Sequence, residues 1–202
     1  MSIFLCSDQH LGHARIIDLC NRPFSSVEEM NETIIANHNR LVKPNDTVYF
    51  LGDVCMGKLA DSMPLLHRMN GVKLLILGNH DRPSRCYHHK RGDEARQEWY
   101  VKYREYFPMI LESIELPLGP DGENVLLHHF PYSDPTYVDH EYEGRYAEFQ
   151  PGDNGDFLIH GHVHDKWKVK GKQINVGLDV WDFCPVEIAA VQDLMKEQSK
   201  GE

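Results

Sequence analysis

The chain has 202 residues, enough for one domain with a sizeable core, and its 21 Lys and Arg against 31 Asp and Glu leave a formal charge of -10. That balance excludes a long, non-specific footprint on a nucleic-acid backbone. Five scattered cysteines, Cys6, Cys20, Cys55, Cys86 and Cys184, contain no CxxC pair and point away from a disulfide scaffold and toward a reducing cytosol.

A first strand is expected over Ser2 to Ser7, stopping at Asp8. With a candidate ligand so early, no cleavable leader is expected, and no apolar run nears the length of a membrane span, so the protein is expected in the cytoplasm. Ser25 three residues ahead of Glu28 reads as a capping box, and Val27, Met30, Ile34 and Leu41 keep a helical period, predicting a helix over about Ser26 to Leu41. Thr47 to Leu51 reads as a strand ending at Gly52-Asp53. Leu59 to Arg68 reads as a short helix that Pro64 kinks or confines.

Val72 to Leu77 is a further strand, ending at Gly78-Asn79-His80-Asp81, and a helix is expected from about Asp93 to Tyr106. Val125 to Leu127 stops at His128-His129, and Phe157 to Ile159 at His160-Gly161-His162. Lys168 to Val176 reads as a hairpin turning at Lys170-Gly171. Pro185 to Val191 reads as a last strand before a charged terminal helix. Apolar runs that each end in polar residues suggest buried strands of an α/β or α+β domain, with the polar clusters gathered at strand ends.

Two stretches differ in charge. Arg82 to Tyr106 carries seven Lys or Arg against four Asp or Glu, plus His88 and His89. Asp134 to Asp156 carries seven acidic residues against Arg145 alone, with Tyr137, Tyr142 and Tyr146 among them. Both are either solvated surface or rims of a cleft, the basic one drawing in an anion. Residues 82–108 and 132–156 are accordingly expected as rim insertions within a single domain spanning 1–202.

Five clusters carry the chemistry: Asp8-Gln9-His10, Gly52-Asp53, Gly78-Asn79-His80-Asp81, His128-His129 and Gly161-His162-Val163-His164. Imidazole, carboxylate and amide oxygen together suit Mn, Fe, Zn, Co or Ni, and the absence of thiolate argues against a structural Cys-rich zinc site. The clusters resemble, in order, the signature of the calcineurin-like metallophosphoesterases: DxH, GD, GNH with an acidic residue, His, then GHxH.

The resemblance implies a four-layer α/β fold, a central β-sandwich flanked by helices, and a hydrolase that cleaves phosphate esters at a dinuclear site by attack of a metal hydroxide on phosphorus. Two divalent ions per chain are implied, manganese foremost. By the same resemblance Asp8, His10 and His164 hold one ion, Asn79, His162 and a histidine of the 128–129 pair hold the other, and Asp53 bridges them. His129-Phe130-Pro131 matches the family's His-aromatic-Pro pattern, so His129 is the expected ligand. His128 is expected to pack under the sheet or to donate a supporting hydrogen bond.

His80 is the expected catalytic histidine, stabilising the transferring phosphoryl or protonating the leaving oxygen, with Asp81 orienting it. No Ser or Cys stands where a covalent nucleophile is needed, and Cys6 is expected as a packed thiol. Asp8-Gln9-His10-Leu11-Gly12-His13 and Asn21-Arg22-Pro23-Phe24 resemble a subgroup of small bacterial and phage members, which makes His13 and Arg22 candidate substrate contacts beside Asn79 and His80. For Arg22 a surface ion pair would look the same in sequence. His38, His67 and His140 read as ordinary surface or packed residues, and His160 as support beneath the site. Trp181, in a loop with Asp179 and Asp182, either packs on the core or stacks on a base.

The expected substrate is a small nucleotide-like ester, mono or diester, with nucleic acid confined to ends or short fragments. A metal-bearing interaction module is the non-enzymatic alternative, but such modules lose motif residues that are intact here.

Overall fold

The computed structural model describes residues 1–88, 92–133 and 146–200. Its first sheet contains β1 (Ile3–Cys6), β2 (Thr47–Phe50), β3 (Val72–Ile76), β4 (Met109–Leu111) and β10 (Val186–Glu187), in the order β10-β1-β2-β3-β4. Its second contains β5 (Ser113–Leu116), β6 (Val125–His128), β7 (Leu158–His160), β8 (Val169–Lys170) and β9 (Gln173–Asn175), in the order β5-β6-β7-β9-β8. Strands β1 to β4 run parallel, as do β6, β7 and β9, while β10, β5 and β8 pair antiparallel.

Alternation along the parallel strands divides the core in two. Phe4, Cys6, Val48, Phe50 and Leu75 face the helices α1 (Arg15–Leu19), α2 (Val27–Leu41), α3 (Leu59–Ser62) and α5 (Asp93–Tyr103), which follows the short α4 (Arg85–His88), and they meet Ile16, Met30, Ile34 and Tyr103. Leu5, Tyr49, Leu51 and Ile76 point the other way, onto Leu127, Ile159 and Ile174 of the second sheet, with Val191 and Met195 of α6 (Ile188–Ser199). This is the expected β-sandwich flanked by helices. No helix of the described residues is long and apolar enough to cross a membrane.

Differences from the sequence reading are local. The capping box lies one residue later: the Ser26 hydroxyl accepts from the Glu29 amide at 3.1 Å, and Glu29 reaches back to the Ser25 amide at 2.7 Å, because Ser26 and Glu29 share the spacing of Ser25 and Glu28. Beyond α3 the chain tightens into a 3₁₀ helix, Met63–Arg68, where Pro64 has no amide to give. Helix α5 stops at Tyr103, which is fully buried and anchors the end. The last strand is only two residues long, since Val191 and Met195, four apart, bury one helical face against the inter-sheet core. Strands β4 and β5 were not foreseen; Glu112 lies between them, where the chain passes from one sheet to the other. The expected rims fall partly on residues 89–91 and 134–145, which lie outside the described residues.

Candidate metal centre

The turns after β1, β2 and β7 have unusual backbones. Asp8, His10, Asp53, His162 and His164 all have positive φ, between 48° and 71°, where residues other than glycine rarely sit. Such conformations cost on the order of 1–3 kcal/mol each and persist where surrounding bonds impose them. Here the amides of Asp8 and His10 donate to the carbonyls of Gly52 and Asp53 at 3.1 and 3.0 Å, and Gly161 donates to His129 at 3.0 Å, lacing neighbouring turns together within each sheet. Two glycines permit the approach: a Cβ on Gly78 would overlap the Asp53 carboxylate, and one on Gly161 would overlap Ser7 and Asp8.

Asp8, His10 and His164 converge as one ligand group, and Asp8, Asp53 and His129 as an adjoining one. One oxygen of Asp8 accepts the His162 amide at 2.9 Å, while the other, Oδ1, is buried with no hydrogen-bond partner among the described residues, as is His10 Nε2. Asp53 repeats the division: Oδ1 accepts from the His80 amide at 2.8 Å, and Oδ2 sits 3.8 Å from His10 Nε2 and 3.6 Å from His129 Nε2. Asn79 Oδ1 lies 2.9 Å from His129 Nε2 and 3.0 Å from His162 Nδ1.

An orphaned buried carboxylate oxygen facing an orphaned imidazole nitrogen at 4.0 Å is costly unless something lies between them. A divalent cation with bonds of about 2.0–2.2 Å to nitrogen and oxygen fits such separations. The donor set is hard and borderline, and its chemistry fits the group.

The histidines' other ring nitrogens fix their orientation. His129 Nδ1 donates to the Leu51 carbonyl at 2.7 Å, His10 Nδ1 faces the Met56 thioether at 3.1 Å, and His164 Nδ1 faces Asp179 Oδ2 at 3.2 Å. Burial holds His10 and His162 well below the usual imidazole range, the neutral form that ligation requires. Burial also opposes charge on His164, but Asp8 and the Asp179 bond outweigh it and hold that pKa high.

Of the adjacent pair, His129 is fully buried and directed at Asn79 and Asp53, whereas His128 ends β6 and its Nδ1 accepts the Phe130 amide at 3.0 Å. The His80 ring stands edge-on to His10 at 5.8 Å, half-buried. The expected support from Asp81 is corrected. Its Oδ2 accepts from the Gly78 and Asp53 amides at 2.8 and 2.9 Å and its Oδ1 from Val54 at 3.3 Å, so it ties two ligand loops together rather than orienting His80. Burial and the Asp53 charge push its carboxyl up to about 7 against those amides.

His13 lies beside His10 at 5.4 Å between ring centres, and burial lowers its pKa to about 4. Arg22, expected at the substrate, is corrected as well. Its side chain is fully buried and all three guanidinium nitrogens are engaged, by both oxygens of Asp179 and the carbonyls of Asp8 and Gln9.

Around the centre, His160 is buried against Trp167, and Trp181 packs on the inter-sheet core with its Nε1 donating to the Asn175 carbonyl. His38 is buried, His67 is exposed against Tyr106, and His140 lies outside the described residues. Cys6 is a fully buried thiol whose pKa burial raises. Met56, which sits in no recognisable motif, was not foreseen beside the site, whereas Tyr146, 5.9 Å between ring centres from His162, falls in the stretch expected as a cleft rim.

Residues 1–166 match the family model described as calcineurin-like phosphoesterase. An uncharacterized protein of Methanocaldococcus jannaschii is 33% identical, over 96% of this chain and 92% of its own. The Gene 66 protein of Mycobacterium phage L5 is 34% identical, over 87% and 85%. A solved structure of a protein of unknown function from Aquifex aeolicus superposes with a TM-score of 0.65 at 26% identity, covering 96% of this chain and 98% of that one.

Proposed function

The chain belongs to the calcineurin-like phosphoesterase family, whose members are metal-dependent hydrolases, and on that premise we propose that it cleaves a phosphate ester of a small, nucleotide-like substrate at a centre of two divalent ions, manganese foremost. The observation that carries this reading is the buried convergence of Asp8, His10, Asp53, Asn79, His129, His162 and His164, with Asp8 Oδ1 and His10 Nε2 left without protein partners.

In this reading Asp8, His10 and His164 hold one ion, and Asn79, His129 and His162 the other. Asp53 serves both, its Oδ2 lying between His10 and His129. Bound there, the ions supply positive charge to phosphoryl oxygens and acidify a water. His80, outside the ligand set, stabilises charge on the phosphoryl group or gives a proton to the leaving oxygen. His13, next to His10, is the further substrate contact. Asp81 acts on the loops and not on the substrate. The buried thiols Cys6 and Cys55 suit a reducing, cytoplasmic compartment.

The test is a panel assayed with manganese-loaded protein: p-nitrophenyl phosphate, bis-p-nitrophenyl phosphate, 2',3'- and 3',5'-cyclic nucleotides and short DNA ends, with Asp53→Asn as the control for contaminating activity. Turnover of the nucleotides or small esters supports the proposal. Turnover of DNA ends alone would make the protein a nuclease, and no turnover with both ions bound would make it a binding module.

A further inference from the structure

Arg22 and Asp179 are separated by 157 residues in the chain and no sequence pattern links them, yet they form a buried pair at the edge of the centre. Their side chains are 0% and 3% exposed, and Arg22 Nε and Nη2 each donate to an Asp179 oxygen at 2.8 Å. The same guanidinium continues to the main chain. Nη2 donates to the Asp8 carbonyl at 2.7 Å and Nη1 to that of Gln9 at 3.1 Å, bracing the turn in which Asp8 and His10 have positive φ. Asp179 in turn faces His164 Nδ1.

Asp8, His10 and His164 are one ligand group. A single buried ion pair therefore reaches all three, two through the backbone and one through the ring, and reaches none of Asn79, His129 or His162 directly. Among the described residues His129 has a neutral carbonyl behind it, and His10 a thioether. A carboxylate is the stronger acceptor: it fixes the tautomer that leaves Nε2 bare and makes the imidazole more electron-rich. Arg22 keeps that carboxylate ionised and in place, a task for a planar, two-pronged cation.

We propose that Arg22 and Asp179 are positioning residues for one ion of the pair, the ion held by Asp8, His10 and His164, and that they tune that position independently of the other. This rests on the dinuclear reading above.

The experiment is manganese binding to wild type, Asp179→Asn and Arg22→Lys, followed by calorimetry, elemental analysis after dialysis, and electron paramagnetic resonance. Wild type should bind two ions with a spin-coupled signal; fewer than two would sink the dinuclear reading itself. In Asp179→Asn one ion should weaken by about 10–100-fold while the other keeps its affinity, and the coupled signal should give way to that of an isolated ion. Turnover should fall and return with excess manganese, at nearly unchanged KM. Arg22→Lys, which keeps the charge and loses the fork, should show a smaller shift in the same direction, and it carries the test if Asp179→Asn does not fold. Loss of both ions in parallel from a variant with a cooperative melt, or retention of both at wild-type affinity, would overturn the proposal.

Discussion

In the proposed dinuclear reading Asp8, His10 and His164 would meet a shared Asp53 with two carboxylates in play, whereas Asn79, His129 and His162 would meet it with one. The two halves draw on the same sheets and lie within one buried site, so fold and burial do not separate them. Formal charge does, and so does what lies behind each ring. Cation affinity rises with the number of charged ligands. The Asp8 half should therefore fill first and hold its ion tightly, and the Asn79 half should exchange more readily.

The largest effect is expected where the halves join. Asp53→Asn removes the carboxylate that the proposal assigns to both, and should reduce turnover beyond the roughly 10²–10³-fold cost of losing a single electrostatic stabiliser. Elemental analysis should show fewer than two retained ions. Two tightly held ions in that variant would mean the halves do not share Asp53.

His80 stands beside both halves and belongs to neither ligand set. His80→Ala should lower turnover by about two to four orders of magnitude while metal content stays at the wild-type value. A loss of metal in step with activity would move His80 into one of the halves.

Asn79→Asp tests the charge argument directly, because it gives the poorer half a second carboxylate at almost the same shape. The weaker binding phase in calorimetry should strengthen by about tenfold and approach the tighter one. An unchanged difference between phases would mean that the backing of His164, and not ligand charge, sets it.

Much of this centre was legible because its chemistry clusters at strand ends. Asp8, Asp53, Asn79 and His162 each lie just beyond an apolar run, and the pattern that marks a buried strand also marks where it stops. Strand β5 was legible in principle, since Ser113, Ile114, Glu115 and Leu116 alternate in character, but a strand of four residues that ends at Pro117 is a weak signal. The cap at Ser26 was ambiguous because two Ser-to-Glu spacings overlap. The Arg22–Asp179 pair was not legible at all: its meaning lies in a contact across 157 residues, and a surface arginine would have looked the same. Nor does sequence reveal the left-handed backbones of Asp8 or His10, which follow from bonds to the turn after β2.

The smallest expected effect concerns a histidine outside both halves, and it separates loss of metal from loss of fold. In the dinuclear reading acid should strip ions from each half, because imidazoles bind cations only when neutral. Acid also unfolds the protein, and His38 contributes to that route alone. It is 1% exposed on α2, with Nε2 donating to the Asn70 carbonyl at 2.9 Å, and burial lowers its pKa to about 4. An unfolded chain protonates it near pH 6.5. The folded value is the lower one, so the unfolded state takes up the proton first. The stability this histidine confers is thus complete above about pH 6.5 and is lost as pH falls toward 4, about 2 kcal/mol of it between pH 7 and 5. His38→Gln keeps an N–H for Asn70 and cannot titrate. Urea melts of the metal-free variant should therefore lose about 2 kcal/mol less than wild type over that interval, while the metal-loaded variant keeps wild-type turnover at pH 7. If the two slopes are equal, acid unfolding does not run through His38, and any pH step in metal content must be assigned to the ligand groups themselves.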